Sequence, residues 1–118
     1  MKNAYQDGRV LDVELATAVA SGGVVVKGGI LGVAVTSGAP GDIVATHVEG
    51  VFRLPKLNTA NIAQGDWVTW DINPGRVIVA SPAAGDIEGF GYAVEAAGNG
   101  TTDVLVRLCP GAGVPFSA

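Results

Sequence analysis

The feature that most constrains this chain is how soon each apolar run is stopped by a turn signal. Gly28-Gly29, the loop Ser37-Gly38-Ala39-Pro40-Gly41-Asp42, Asn73-Pro74-Gly75 and Ala97-Gly98-Asn99-Gly100 each interrupt a run rich in Val and Ile. No long window sustains an apolar face at helical spacing, while residues 9–15 alternate, with Val10, Asp12 and Glu14 opposite Leu11, Val13 and Leu15. Short alternating runs between Gly, Pro, Asn and Asp read as strands. The same reading places strands at 24–27, 30–36, 66–72, 76–80, 87–96 and 102–108. It also gives one long strand over 43–54, bent at Gly50 because an interior Gly marks a bulge, and ended by Pro55. Asn73-Pro74-Gly75 predicts a hairpin turn. Residues 56–64 are the one stretch that suits a short helix or an ordered loop.

The predicted fold is therefore all-β: a small compact β-barrel or β-sandwich with short extended terminal arms. The expected division is an N-terminal arm over 1–8, one β domain over 9–109 and a C-terminal tail over 110–118. A chain of 118 residues builds its own core without metals or disulfides. A weak internal repeat is visible. Val19-Ala20-Ser21-Gly22-Gly23-Val24-Val25 resembles Ile62-Ala63-Gln64-Gly65-Asp66-Trp67-Val68, and Gly32-Val33-Ala34-Val35 resembles Gly91-Tyr92-Ala93-Val94. In a chain so rich in Val, Ala and Gly, chance produces likenesses of this kind too. The mean hydropathy is high for a soluble domain. A core of small residues explains that, and so does apolar surface covered by another subunit.

The residues give no support to an enzyme. His47, the only histidine, lies mid-strand, and no Gly-x-Ser-x-Gly motif accompanies it. Cys109 is the only cysteine, so no intrachain disulfide forms, which fits a cytoplasmic site of synthesis. Asp42, Asp66, Asp86 and Asp103 sit where loops meet strands, a usual place for Asp in turns. The Gly-rich stretches fit neither the phosphate-binding loop nor the dinucleotide fingerprint, since no Lys follows a Gly in the needed context and no helix follows them. We expect no catalytic residues, no cofactor and no metal. With seven Lys and Arg dispersed along a chain of net charge −4, nucleic acid is not an expected ligand. No apolar run approaches the ~18 residues of a membrane span, so no membrane association is expected.

Trp67 and Trp70 stand three apart on one strand and point to opposite faces. One is expected in the core and the other at a subunit interface. In the arms, Asn3, Tyr5 and Gln6 at one end and Phe116 at the other are candidate contact residues.

The order of motifs resembles the capsid cement, or head decoration, proteins of tailed bacteriophages. The start Met1-Lys2-Asn3-Ala4-Tyr5-Gln6-Asp7-Gly8 is similar to theirs, as is Gly29-Ile30-Leu31-Gly32-Val33-Ala34-Val35. Glu49-Gly50-Val51-Phe52-Arg53-Leu54-Pro55-Lys56 and Ala63-Gln64-Gly65-Asp66-Trp67-Val68-Thr69-Trp70-Asp71 follow. The last motif runs from Gly91-Tyr92-Ala93-Val94-Glu95-Ala96 through Val104-Leu105-Val106-Arg107-Leu108. The resemblance implies a structural protein on the outer capsid surface of the virion. Its partner would be the phage major capsid protein, whose mature shell it would stabilise. It also implies a homo-oligomer, with a trimer favoured over a dimer. Such proteins have often carried a recombinase-like label, which the lack of a phosphate-binding loop does not support. Two other readings remain open from the residues: a phage tail or baseplate β module, and a small β domain binding a sugar or a cation.

Overall fold

The computed structural model describes residues 9–28, 30–79 and 82–116. Among them there is no helix, and ten strands form two sheets, so the all-β class stands. The strands fall into two units that part between Glu49 and Gly50.

The first unit holds β1 (Val10–Glu14), β2 (Val24–Lys27), β3 (Ile30–Ala34) and β4 (Ile43–His47) in the antiparallel order β1-β4-β3-β2. The alternation of β1 is realised as expected. Val13 and Leu15 enter a core with Val25, Ala34 and Val44, while Val10, Asp12 and Glu14 stay outside. The pair Lys27 and Ile30 closes a two-residue hairpin between β2 and β3, entered through Gly28 at φ +57°.

The second unit holds β5 (Gly50–Pro55), β6 (Trp67–Asp71), β7 (Arg76–Ile78), β8 (Ile87–Ala93), β9 (Asp103–Leu108) and β10 (Val114–Pro115). The order is β5-β9-β8-β6-β7. The circle closes because Lys56, just past β5, bridges Val77 of β7 in parallel, and the Leu57 N–H donates to the Val77 carbonyl at 3.0 Å. This unit is thus a small barrel filled by Leu54, Val68, Trp70, Val77, Phe90, Val106 and Leu108. β8 carries a bulge: Val68 pairs with Gly91 but Thr69 pairs with Glu88, which leaves Gly89 and Phe90 extra. Gly89, at φ +66°, takes the bend. On one edge β8 meets β10 before the bulge and β9 after it.

The internal repeat is a duplication of structure. The order β1-β4-β3-β2 recurs as β5-β9-β8-β6. Isolated bridges join Val19 to Gly38 and, at the matching places, Ile62 to Ala97. The Gly22 N–H donates to the Ala34 carbonyl at 2.9 Å, and the Gly65 N–H to the Ala93 carbonyl at 2.8 Å. The Ser21 hydroxyl donates to the Val35 carbonyl, as the Gln64 amide does to that of Val94. Gly32 presses on Thr46 and His47 as Gly91 presses on Val106 and Arg107. Chance likeness of sequence does not reproduce hydrogen bonds at matching positions. What the second unit adds is β7, carried in the stretch 72–86, and β10.

Three local expectations need revision or detail. Residues 43–54 are two strands in different sheets. The Val48 N–H turns back to the Arg9 carbonyl at 2.9 Å, and Gly50, at φ +129°, redirects the chain. Residues 56–64 form an ordered loop without helix. The buried Lys56 amine holds it by donating to the carbonyls of Leu57, at 2.7 Å, and of Ala60. Burial pushes that amine below the ordinary lysine pKa. The hairpin at 73–75 is present as a four-residue loop between paired Asp71 and Arg76, closed by the Gly75 N–H on the Asp71 carbonyl at 2.9 Å. Of the two arms, residues 1–8 lie outside the described residues, and 110–116 include β10.

Candidate interaction surface

Three of the acidic side chains are committed to turns. Three segments share the pattern Ala-x-Gly-Asp: Ala39-Pro40-Gly41-Asp42, Ala63-Gln64-Gly65-Asp66 and Ala83-Ala84-Gly85-Asp86. In each, the Asp carboxylate accepts the Ala N–H at 2.8–2.9 Å, and the Asp N–H donates to the Ala carbonyl at 3.0–3.1 Å. The glycine sits at φ +90°, +89° and +90°. A side chain at those angles would be strained, and the carboxylate replaces a partner strand for one N–H. Asp71 lies 3.6 Å from Arg76 instead, and Asp103 lies 3.0 Å from Arg53. Among the described residues, no group of three or more His, Cys, Asp or Glu could hold a metal ion. His47 sits partly buried on β4 in register with Val10 and Val33. The Arg107 guanidinium reaches the Cys109 sulfur at 3.5 Å.

The surface feature that stands out is a row across the outer face of the barrel. Register aligns Val51 of β5 with Arg107 of β9, Arg107 with Tyr92 of β8, and Tyr92 with Trp67 of β6. Trp67 is 56% exposed and Val51 51%, and the Trp67 and Tyr92 rings meet edge to face at 5.6 Å. Their neighbours Val68 and Val106 point the other way, into the core. Cross-strand pairs of this kind contribute about 0.2–1 kcal/mol to a sheet, so the row has a stabilising role of its own. That role does not need so much of Trp67 in water. Trp, Tyr and Arg are also the side chains that dominate binding energy at interfaces. The matching positions of the first unit hold Val10, His47, Val33 and Val24, without aromatics.

The sequence-predicted contact residues separate. Trp70 is 6% exposed and packs edge to face on Phe90 at 6.5 Å, inside its own unit, while Trp67 faces outward. Phe116 is half-buried, and its N–H donates to the Asp86 carbonyl while its own carbonyl accepts from Gly85. Asn3, Tyr5 and Gln6 lie outside the described residues. Val51, Tyr92 and Arg107 were not singled out from the sequence. Each lies on an alternating strand, but only the pairing register makes them neighbours.

No curated protein and no solved structure matches the chain. The sequence model of one family, described as phage cement protein, matches residues 5–108. That span includes β1 to β9 and both copies of the repeated unit, and it covers four of the motifs whose likeness was noted in the sequence and the second half of the first, from Tyr5 to Gly8. The chain belongs to the phage cement protein family, which makes it a capsid-associated structural protein of a bacteriophage.

Proposed function

We propose that the chain binds the outer surface of the mature major-capsid shell and stabilises it. The observation that carries this reading is the outward-facing row Val51–Arg107–Tyr92–Trp67 on the barrel, with Val51 and Trp67 exposed and Arg107 and Tyr92 half-buried. A reinforcing protein needs no reaction centre. It needs a stiff domain, a contact face and a symmetric arrangement. We propose self-association on the shell as a trimer, since closed symmetry suits the three-fold positions between capsid subunits. Residues 1–8, with Asn3, Tyr5 and Gln6, would order against the shell, and ordering them costs about 1–2 kcal/mol per residue.

The test is co-sedimentation with expanded and unexpanded phage heads. Expanded heads should retain the wild-type chain. Trp67→Ala should keep the wild-type melting curve and lose on the order of thirtyfold in affinity for heads, the size expected of a central interface Trp. Full affinity in that variant would remove the row from the contact. Deleting residues 2–7 should likewise leave the chain folded and weaken attachment. A truncated chain that binds as well as wild type would end the proposed role of the arm. A stable hexameric ring that ignores heads would favour a tail module instead.

A further inference from the structure

Each of the three Ala-x-Gly-Asp turns gives its glycine N–H to a carbonyl from another segment. Gly41 donates to Leu15 at 2.8 Å, Gly65 to Ala93 at 2.8 Å and Gly85 to Phe116 at 2.9 Å. A fourth turn of this shape is Gly98-Asn99-Gly100-Thr101. It follows the Ile62–Ala97 bridge as Ala39-Pro40-Gly41-Asp42 follows the bridge of Val19 to Gly38. The Thr101 N–H and hydroxyl both donate to the Gly98 carbonyl, at 3.2 and 2.6 Å, and Gly100 takes φ +98°. The Gly100 N–H goes to the Asn58 carbonyl at 2.6 Å. What differs among the four turns is the residue before the glycine: Pro40, Gln64, Ala84 and Asn99.

That difference is chemical, because the backbone nitrogen after an asparagine is a nucleophile toward the side-chain amide. Asn99-Gly100 is the only Asn-Gly pair in the sequence. Asn99 is exposed, and a Cβ at Gly100 would meet nothing within 4 Å, so the approach is open. The other asparagines of the described residues are poorer sites. Asn58 and Asn61 precede the β-branched Thr59 and Ile62, and Asn73 precedes Pro74, whose nitrogen carries no proton. We propose that Asn99 is a latent self-deamidation site, held shut by the Asn58 carbonyl that occupies the Gly100 N–H. In the reaction the Gly100 nitrogen gives its proton to solvent base and bonds to Cγ of Asn99. The Cγ–Nδ2 bond breaks and ammonia leaves, with a proton returned by water. Water then opens the succinimide at either carbonyl, to aspartate or isoaspartate. The nitrogen must lose its proton and turn toward Cγ, and the bond to Asn58 opposes both. Asn58 is itself held, since Ile62 and Ala97 exchange hydrogen bonds at 3.0 and 2.8 Å, and the Lys56 N–H donates to Thr102 at 2.9 Å. Deamidation therefore waits for a local opening of these two loops.

Incubation of the full chain in mildly alkaline buffer, followed by peptide mapping for aspartate and isoaspartate at position 99, tests the guard. The chain unfolded in urea at the same pH and temperature should deamidate there, faster than at any other asparagine. The native chain should react at least about fivefold more slowly, the factor that one ordinary hydrogen bond supplies. Ala84→Asn places an amide before Gly85, whose nitrogen is held by Phe116, and its new site should be slowed by a similar factor in the native chain. Equal rates at position 99 in native and unfolded chains would overturn the guard. Absence of reaction at position 99 in the unfolded chain would overturn the site itself. Native Ala84→Asn reacting as fast at its new site as when unfolded would show that a carbonyl on the glycine nitrogen protects nothing, and so overturn the mechanism. Should that variant misfold, the two wild-type rates decide alone.

Discussion

Gly91→Ala should destabilise the chain by about 3 kcal/mol, at the upper end of what overpacking normally costs. A methyl at Gly91 would meet the Arg107 carbonyl oxygen closer than any real Cβ approaches backbone, with a Val106 methyl at 2.9 Å. Neither neighbour can yield cheaply, because Tyr92 and Ala93 pair with Arg107 and Val106 in the ladder that joins β8 to β9. Relief requires the two strands to part. The matching Gly32→Ala should behave similarly, since its methyl would meet the His47 carbonyl oxygen and a Thr46 methyl at 2.5 Å each. Gly98→Ala is the control. Its nearest neighbour lies at 3.6 Å and its φ is not positive, so a change within about 0.5 kcal/mol is expected. Urea midpoints of the three variants measure this. Equal midpoints for Gly91→Ala and Gly98→Ala would mean that β8 and β9 are free to separate.

Asp86→Ala should cost about 3–6 kcal/mol, because hydrogen bonds to a charged group contribute about 1.5–3 kcal/mol each and two are lost here. One carboxylate oxygen of Asp86 accepts the Ala83 N–H at 2.8 Å, as in the other two Ala-x-Gly-Asp turns. The other accepts the Ile72 N–H at 3.0 Å. At 1% exposure the carboxylate lies out of reach of bulk water. Asp42 and Asp66 make the same turn in the open, so Asp42→Ala and Asp66→Ala should each cost about 1 kcal/mol or less. A thermal denaturation series of the three variants isolates burial from turn chemistry. Three equal shifts would show that the Ile72 bond contributes nothing.

Much of the fold is legible in the sequence because its cues are local. Val13 and Leu15 declare the inner face of β1 by alternation alone, and the turns at Gly28 and Gly75 are marked by glycines that take positive φ. The repeat is legible for the same reason, since its tight turns and close approaches demand glycine at Gly22 and Gly65 and again at Gly32 and Gly91. The misread stretch is 43–54. Apolar alternation runs on through Val48 and Val51, and nothing local says that the strand pairing changes sheet at Gly50. The closure of the barrel is illegible as well, for Lys56 and Val77 meet far apart in sequence and through a single parallel bridge. The spacing of Trp67 and Trp70 fixes that they face opposite ways, but which one is inside depends on the side of β6 that receives Phe90 and Val106. The contact row needs register between four strands, which no single segment carries.

The break at Gly50 bears on the order in which the protein is made. Every strand pairing of the first unit joins residues up to His47, with the longest reach running from Val10. None waits for a residue of the second unit. The barrel instead depends on Gly50 finding Leu108, and on β10 near the very end of the chain. Domains form from the N-terminus first during synthesis, and short-range pairing is faster than long-range pairing. A ribosome therefore releases a unit that can complete its hydrogen bonds while the barrel is still being translated. The strand edge of β5 is left unguarded only until β9 emerges, and those of β6 only until β7 and β8 do.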